Sequence, residues 1–234
     1  MMIDTIAMEN ARVVMMLGMK GGTGKSTVGI HLAVAACQAG KRVKLLDTDP
    51  QATSLAWSRQ REASEPQVTA LRAYEAVKKL TAEKDTDLII LDTPPRAEAD
   101  ISRLATHADL IVIPMRCTMH DLLASEVAFR IAKAAAKPFV LVFNAINPRG
   151  LEVVEVRDGL TEQGYQVAPV MLAQRTSYAR ALSNGLAVTE FDSESKAAEE
   201  ITNLWHWIDQ RISKLKPAKP ASATSSQLRR MTSL

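Results

Sequence analysis

Cysteine and aromatic residues are scarce in this chain: Cys37 and Cys117 are the two cysteines, and Phe, Trp and Tyr together account for 4% of 234 residues. Two cysteines without metal-ligand spacing argue against a disulfide framework and against a zinc site, and make a reducing compartment the default expectation. No apolar run approaches the roughly 20 residues needed to span a bilayer. The start, Met1-Met2-Ile3-Asp4-Thr5, lacks the basic residues and apolar stretch of a signal peptide. These absences lead to the expectation of a cytoplasmic protein.

What the chain does contain is aliphatic. Hydrophobic residues make up 47% of it, in short runs separated by helical patterns. Val13–Leu17, Val43–Asp47, Leu88–Asp92, Leu110–Pro114 and Phe139–Phe143 read as strands buried on both faces, with weaker strands over Gln67–Leu71 and Gln166–Met171. Helical spacing follows over Lys25–Ala39, Tyr74–Lys84, Ile101–His107, Asp121–Ala136, Leu151–Gln163 and Ser195–Leu215. This alternation predicts an α/β fold: a doubly wound, mostly parallel sheet flanked by helices on both faces, with ligands at the carboxyl ends of the strands. One domain over residues 1–215 and a tail over 216–234 are expected.

Between the first strand and the first helix lies Lys20-Gly21-Gly22-Thr23-Gly24-Lys25-Ser26. Its glycines let the backbone turn tightly and aim N–H groups at the oxygens of a polyphosphate, while the following helix adds the positive end of its dipole. Lys25 is placed to reach the β- and γ-phosphates of a nucleoside triphosphate, and the Ser26 hydroxyl to join the shell of a bridging magnesium ion. The generic phosphate loop has glycine at position 19; here it is Met19, so the loop is of a deviant form.

Two other strands end in acids, Asp47-Thr48-Asp49-Pro50-Gln51 and Asp92-Thr93-Pro94-Pro95. An isolated aspartate at such a place serves equally well to cap a helix or a turn. Three elements converging on one sheet edge favour function. Asp92 is assigned to the magnesium shell through water, Asp49 to positioning the attacking water, and Asp47 to supporting the loop and the magnesium shell.

In order and spacing these three segments resemble the ParA/MinD family of deviant Walker ATPases. Gln174-Arg175-Thr176-Ser177-Tyr178 through Glu190 is similar to the small ParF-like partition ATPases that lack an N-terminal DNA-binding domain. The resemblance implies weak basal hydrolysis of ATP with Mg2+, the nucleotide held by Gly21, Gly22, Thr23, Gly24, Lys25, Ser26 and Thr27. It implies an ATP-dependent homodimer in which Lys20 reaches the phosphates bound by the partner, offsetting polyanion repulsion as an arginine finger does. Asn144 resembles a position near adenine, although a turn-forming asparagine fits the same sequence.

Charge bears on partners. From Arg211 onward the chain has six basic residues and no acid, leaving a net −3 on the rest of a chain whose formal charge is +3. Family resemblance implies nonspecific DNA as the ATP-dimer's partner, contacted through Arg175, Arg180, Lys196 and Arg211 by phosphate neutralisation. It also implies nucleoid association and a centromere-binding adaptor, ParB-like or ribbon-helix-helix. Segregation of plasmid or chromosomal DNA is the first expectation. The alternatives are positioning of another cargo, such as a protein cluster or microcompartment, and membrane regulation in the manner of MinD. The last ranks lowest, because Leu228–Leu234 is too short for a true amphipathic anchor.

Overall fold

The run Val13-Val14-Met15-Met16-Leu17 has no polar face because the strand that carries it is central and covered on both sides. In the computed structural model, residues 11–83, 85–147 and 149–215 are described. Their strands are β1 (Arg12–Met16), β2 (Val43–Asp47), β3 (Gln67–Ala70), β4 (Leu88–Asp92), β5 (Leu110–Met115), β6 (Phe139–Ile146) and β7 (Leu172–Ala173). They form a seven-stranded sheet in the order β3-β2-β4-β1-β5-β6-β7. Every neighbouring pair runs parallel.

Parity along the strands divides the core. Val14, Met16, Leu88, Ile90, Leu110, Val112, Val140 and Val142 face one layer, while Met15, Ile89, Leu91, Ile111, Ile113, Leu141 and Phe143 face the other. The first layer holds α1 (Lys25–Gln38), α2 (Thr53–Ser58), α7 (Thr176–Ser183), α8 (Val188–Phe191) and α9 (Lys196–Lys214). Against the second pack α3 (Ala73–Ala82), α4 (Glu98–Ala105), α5 (Met119–Ala134) and α6 (Leu151–Glu162). Full burial of one aliphatic side chain stabilises by about 1.5–3 kcal/mol, so strands apolar on both faces strongly favour this two-sided arrangement.

Several expectations need correction. The spacing of Val28, Leu32, Ala35 and Ala36 predicts one buried stripe on α1, but every residue from Val28 to Ala36 is buried. The cause is tertiary: α8 and α9 cover the side of α1 that would otherwise meet solvent. No strand spans Gln166–Met171. A single bridge joins Val167 to Leu141, and regular pairing resumes at β7 after an irregularity in β6 between Asn144 and Ile146. Pro169 has no N–H to give to the ladder. α2, of six residues, and α8, of four, are too short to show a periodic apolar signal. α7 is not among the expected helices, although it buries Tyr178 and Ala181 on one face. α9 follows expectation: Ser195 caps it by accepting from the Ala198 N–H at 3.2 Å, and Ile201, Leu204, Trp205, Ile208 and Ile212 are buried. The expected tail over 216–234 lies outside the described residues.

Candidate active site

The loop after β1 enters α1 through two left-handed glycines, Gly22 at φ +77° and Gly24 at φ +97°. The conformation demands glycine at Gly24, and an added Cβ there would lie 2.1 Å from Nδ2 of Asn144 and displace that side chain. Asn144 donates from that Nδ2 to the carbonyl of Thr23 at 2.8 Å. The asparagine expected near a base is thus occupied in bracing the phosphate loop.

Lys25 and Lys20 have opposite environments. Lys25 is buried at 6% exposure, and desolvation lowers its pKa against the opposing fields of Asp92 and Asp49. Lys20 has a side chain 47% exposed, and its Nζ meets Oδ1 of Asp121 at 2.6 Å. One lysine is aimed into its own loop while the other lies at the surface.

The acids converge because β2 and β4 are neighbours, with Asp47 and Asp92 in register. Thr48 donates to the carbonyl of Asp92 from N at 2.9 Å and from Oγ1 at 2.8 Å, and Thr93 Oγ1 donates to the carbonyl of Met16 at 2.7 Å. The carboxyl ends of β2, β4 and β1 are therefore stapled together. Burial pushes the Asp92 carboxyl up to about 6, with the hydroxyls of Ser26 and Ser54 and the Lys25 charge opposing and the Asp47 charge reinforcing the rise. Ser54 Oγ donates to Asp92 Oδ2 at 2.8 Å.

Asp47 is also buried. Its Oδ1 accepts from Asp49 N at 3.1 Å, and its Oδ2 accepts from Ser54 N at 3.0 Å and Leu55 N at 3.1 Å. Burial raises its pKa while these three N–H groups act in the opposite direction. Asp47 therefore holds the first turn of α2, which delivers Ser54 to Asp92. Half-buried Asp49 accepts from Gln51 N at 2.9 Å, which shapes the turn after β2. Beside these acids is a cleft of ≈ 1070 Å³ lined by Asp47, Asp49, Arg72, Tyr74, Pro94 and Asp100 among others. No residue of the loop from 20 to 26 lines it, so it adjoins the phosphate cradle and is not part of it.

These residues fit a triphosphate with magnesium. Asp92 Oδ1 is buried without a hydrogen bond of regular geometry, an orphaned acceptor beside the Ser26 hydroxyl. Among the described residues, no three or more His, Cys, Asp or Glu side chains form a metal cage. A hard cation here would therefore complete its oxygen shell from the nucleotide and water, as magnesium does.

The residues expected to meet DNA do not form one patch. Arg175 is pinned to Glu200, with Nη2 to Oε1 at 2.6 Å, and Glu200 also accepts from Tyr178 Oη at 2.9 Å. Arg180 is exposed on α7. Lys196 begins α9 beside Glu199, whereas Arg211 lies over the Trp207 ring at 5.1 Å towards its far end. A rise of 1.5 Å per residue separates those two by roughly 22 Å.

Sequence reasoning missed Ser54, Thr48, Thr93 and Asp121. Ser54 lies in the first turn of a six-residue helix that no periodic pattern reveals. Asp121 lies in the first turn of a helix that the spacing predicts but carries no motif that marks a role, and the two threonines act through backbone carbonyls of neighbouring strands.

A phosphate loop between a buried strand and helix, with acids at adjacent strand ends, defines a nucleotide-binding P-loop protein. Residues 14–188 match the family model described as the CobQ/CobB/MinD/ParA nucleotide binding domain, and the chain belongs to that family. It is 28% identical over 210 residues to the maintenance of carboxysome distribution protein A of Gloeobacter kilaueensis, covering 83% of this chain and 95% of that one. It is also 28% identical over 178 residues to protein ParA of Rhizobium radiobacter, covering 71% and 80%. Among solved structures, the septum site-determining protein MinD of Pyrococcus horikoshii, complexed with Mg-ADP, superposes with a TM-score of 0.67 at 16% identity, covering 86% of this chain and 97% of that one. The chain is thus a ParA/MinD-type ATPase by family. Among the described residues, no helix is long and apolar enough to cross a membrane.

Proposed function

We propose that the protein is a cytoplasmic, nucleoid-associated ATPase that closes into a homodimer on ATP with magnesium, binds DNA without sequence preference, and drives segregation of plasmid or chromosomal DNA. Adaptor-stimulated hydrolysis resets it. The observation that carries this reading is the divergence of the two loop lysines: Lys25 is buried in its own loop, while Lys20 lies at the surface beside it.

Gly21 to Thr27 would cradle the phosphates, with Lys25 as a point charge on the β- and γ-groups. Magnesium would be held by Ser26 and, through water, by Asp92, with Asp47 supporting this shell through α2. When bound, the cation neutralises charge developing on the phosphates. Asp49, half-buried at the open side of the site, orients the attacking water. Lys20 acts on the partner's nucleotide, and a cation supplied across the interface makes closure depend on ATP. Exposed Arg180 and Lys196 would neutralise DNA phosphates, with Arg175 joining after exchange from Glu200 and Arg211 with the basic tail forming a separate contact.

The test is ATPase activity with and without nonspecific DNA and with the protein encoded next to this one. Joint stimulation supports the reading; activity indifferent to both overturns it. A second reading, positioning of a protein cluster or microcompartment over the nucleoid, is favoured by the similarity to a carboxysome distribution protein. An adaptor that binds a discrete DNA site decides for segregation, and one that binds a protein assembly decides for the other cargo.

A further inference from the structure

Lys20 is not idle at the surface. Its ammonium touches Oδ1 of Asp121 at 2.6 Å, across 101 positions of sequence. Asp121 lies in the first turn of α5, and its side chain is 4% exposed. The Thr118 hydroxyl donates to its Oδ2 at 2.6 Å and accepts from its backbone N–H at 3.1 Å. This capping arrangement explains one carboxylate oxygen. It leaves Oδ1 to Lys20, so the capping role alone does not account for the pair.

A buried carboxylate on a lysine neutralises the charge that the lysine would present to another subunit. We propose that Asp121 is a positioning residue that holds Lys20 on its own protomer in the absence of nucleotide, and that closure of the ATP dimer requires exchange of this carboxylate for the partner's phosphates. This rests on the sandwich-dimer reading above. Separating the pair leaves Asp121 buried with Thr118, the α5 dipole and the field of Arg116 to offset its charge, and without its direct ion pair. A single carboxylate therefore opposes release, and a polyphosphate with bound magnesium competes with it. The exchange sets a threshold of ATP below which Lys20 stays at home. Exposure of the lysine end keeps the latch weak enough to open.

Two measurements on the full-length protein test this, using Asp121→Asn, which keeps the side chain's shape, and Asp121→Ser, which replaces the carboxylate by a neutral hydroxyl. The first needs no dimer: acylation of lysines by an amine-reactive ester without nucleotide, read by mass spectrometry at Lys20 against exposed Lys196. Lys20 labelling is expected to rise about three- to tenfold in both variants; an unchanged ratio overturns the latch. The second is the ATP concentration for half-maximal dimerisation by light scattering, expected to fall about three- to tenfold. A midpoint that stays or rises shows that Asp121 does not restrain closure, and overturns the proposal. If the wild type never dimerises with ATP, the sandwich reading fails and the exchange with it, while the labelling ratio still decides whether Asp121 holds Lys20.

Discussion

Asn144 Nδ2 donates to the Thr23 carbonyl at 2.8 Å, which ties the end of β6 to the phosphate loop that follows β1. A side chain used in this way acts on loop geometry for any nucleotide. Asn144→Ala is therefore expected to weaken ATP and GTP by similar factors, about fivefold to tenfold for one lost hydrogen bond in a partly buried site. Titration calorimetry with both nucleotides checks it; a loss confined to ATP would instead establish base reading.

Lys20→Ala should separate binding from assembly. Lys25 remains buried in the cradle, so ATP affinity should change by less than about threefold, while ATP-dependent dimers disappear from light scattering. Normal dimers in this variant would remove the trans role of Lys20.

Gly185 sits at φ +68°, and a Cβ there would lie 2.5 Å from the carbonyl oxygen of Gln60. Arg61 Nη1 donates to the Gly185 carbonyl at 2.9 Å, and Trp57 Nε1 donates to the Leu186 carbonyl at 3.2 Å, so the end of α2 grips this turn. Gly185→Ala should cost about 2–4 kcal/mol from conformation and collision with backbone. Gly40→Ala is the control: φ is +83°, but nothing lies within 4 Å, so only about 1 kcal/mol is expected. Equal losses in urea unfolding would contradict the grip.

His31 is fully buried, and burial pushes its pKa down to about 3, opposed by Glu190; its Nδ1 accepts from Val188 N at 3.2 Å. A depressed imidazole pKa means the unfolded chain takes up the proton first. The stability from keeping His31 neutral is present above about pH 6.5 and is lost as pH falls towards 3, by up to about 1.4 kcal/mol per unit. Between pH 7 and 5 the wild type should lose about 2 kcal/mol more than His31→Gln. Parallel curves from chemical denaturation would refute this.

DNA contacts can be sorted by salt. Arg180 is exposed, whereas Arg175 must leave Glu200 before it meets a phosphate. Arg180→Ala should lower the slope of log affinity against log salt by about 0.9. Glu200→Gln should strengthen binding by freeing Arg175; weaker binding would place Arg175 outside the DNA surface.

The five main strands were readable because each is apolar on both faces, a local property that survives without knowledge of neighbours. Gln166–Met171 was misread because alternation alone does not register the donor missing at Pro169. At the site, residue types and spacing announced Gly21 to Ser26 and the two strand-end acids. Asp47 looked much like Asp92, yet the fold engages it with three N–H groups around α2 and leaves an oxygen of Asp92 without a regular partner.

The sequence by itself determined the phosphate loop, the acids at strand ends and the two-sided sheet, because glycine conformation, chain reversal and apolar runs act within a few residues. Only the tertiary structure decided that Asp47 lies level with Asp92, that Asn144 braces Thr23, and that Lys20 rests on Asp121. Each joins segments far apart in the chain, so it depends on which strands become neighbours and where each following helix begins. Strand order follows from burying both sheet faces at once, a condition met by the whole chain and carried by no single segment.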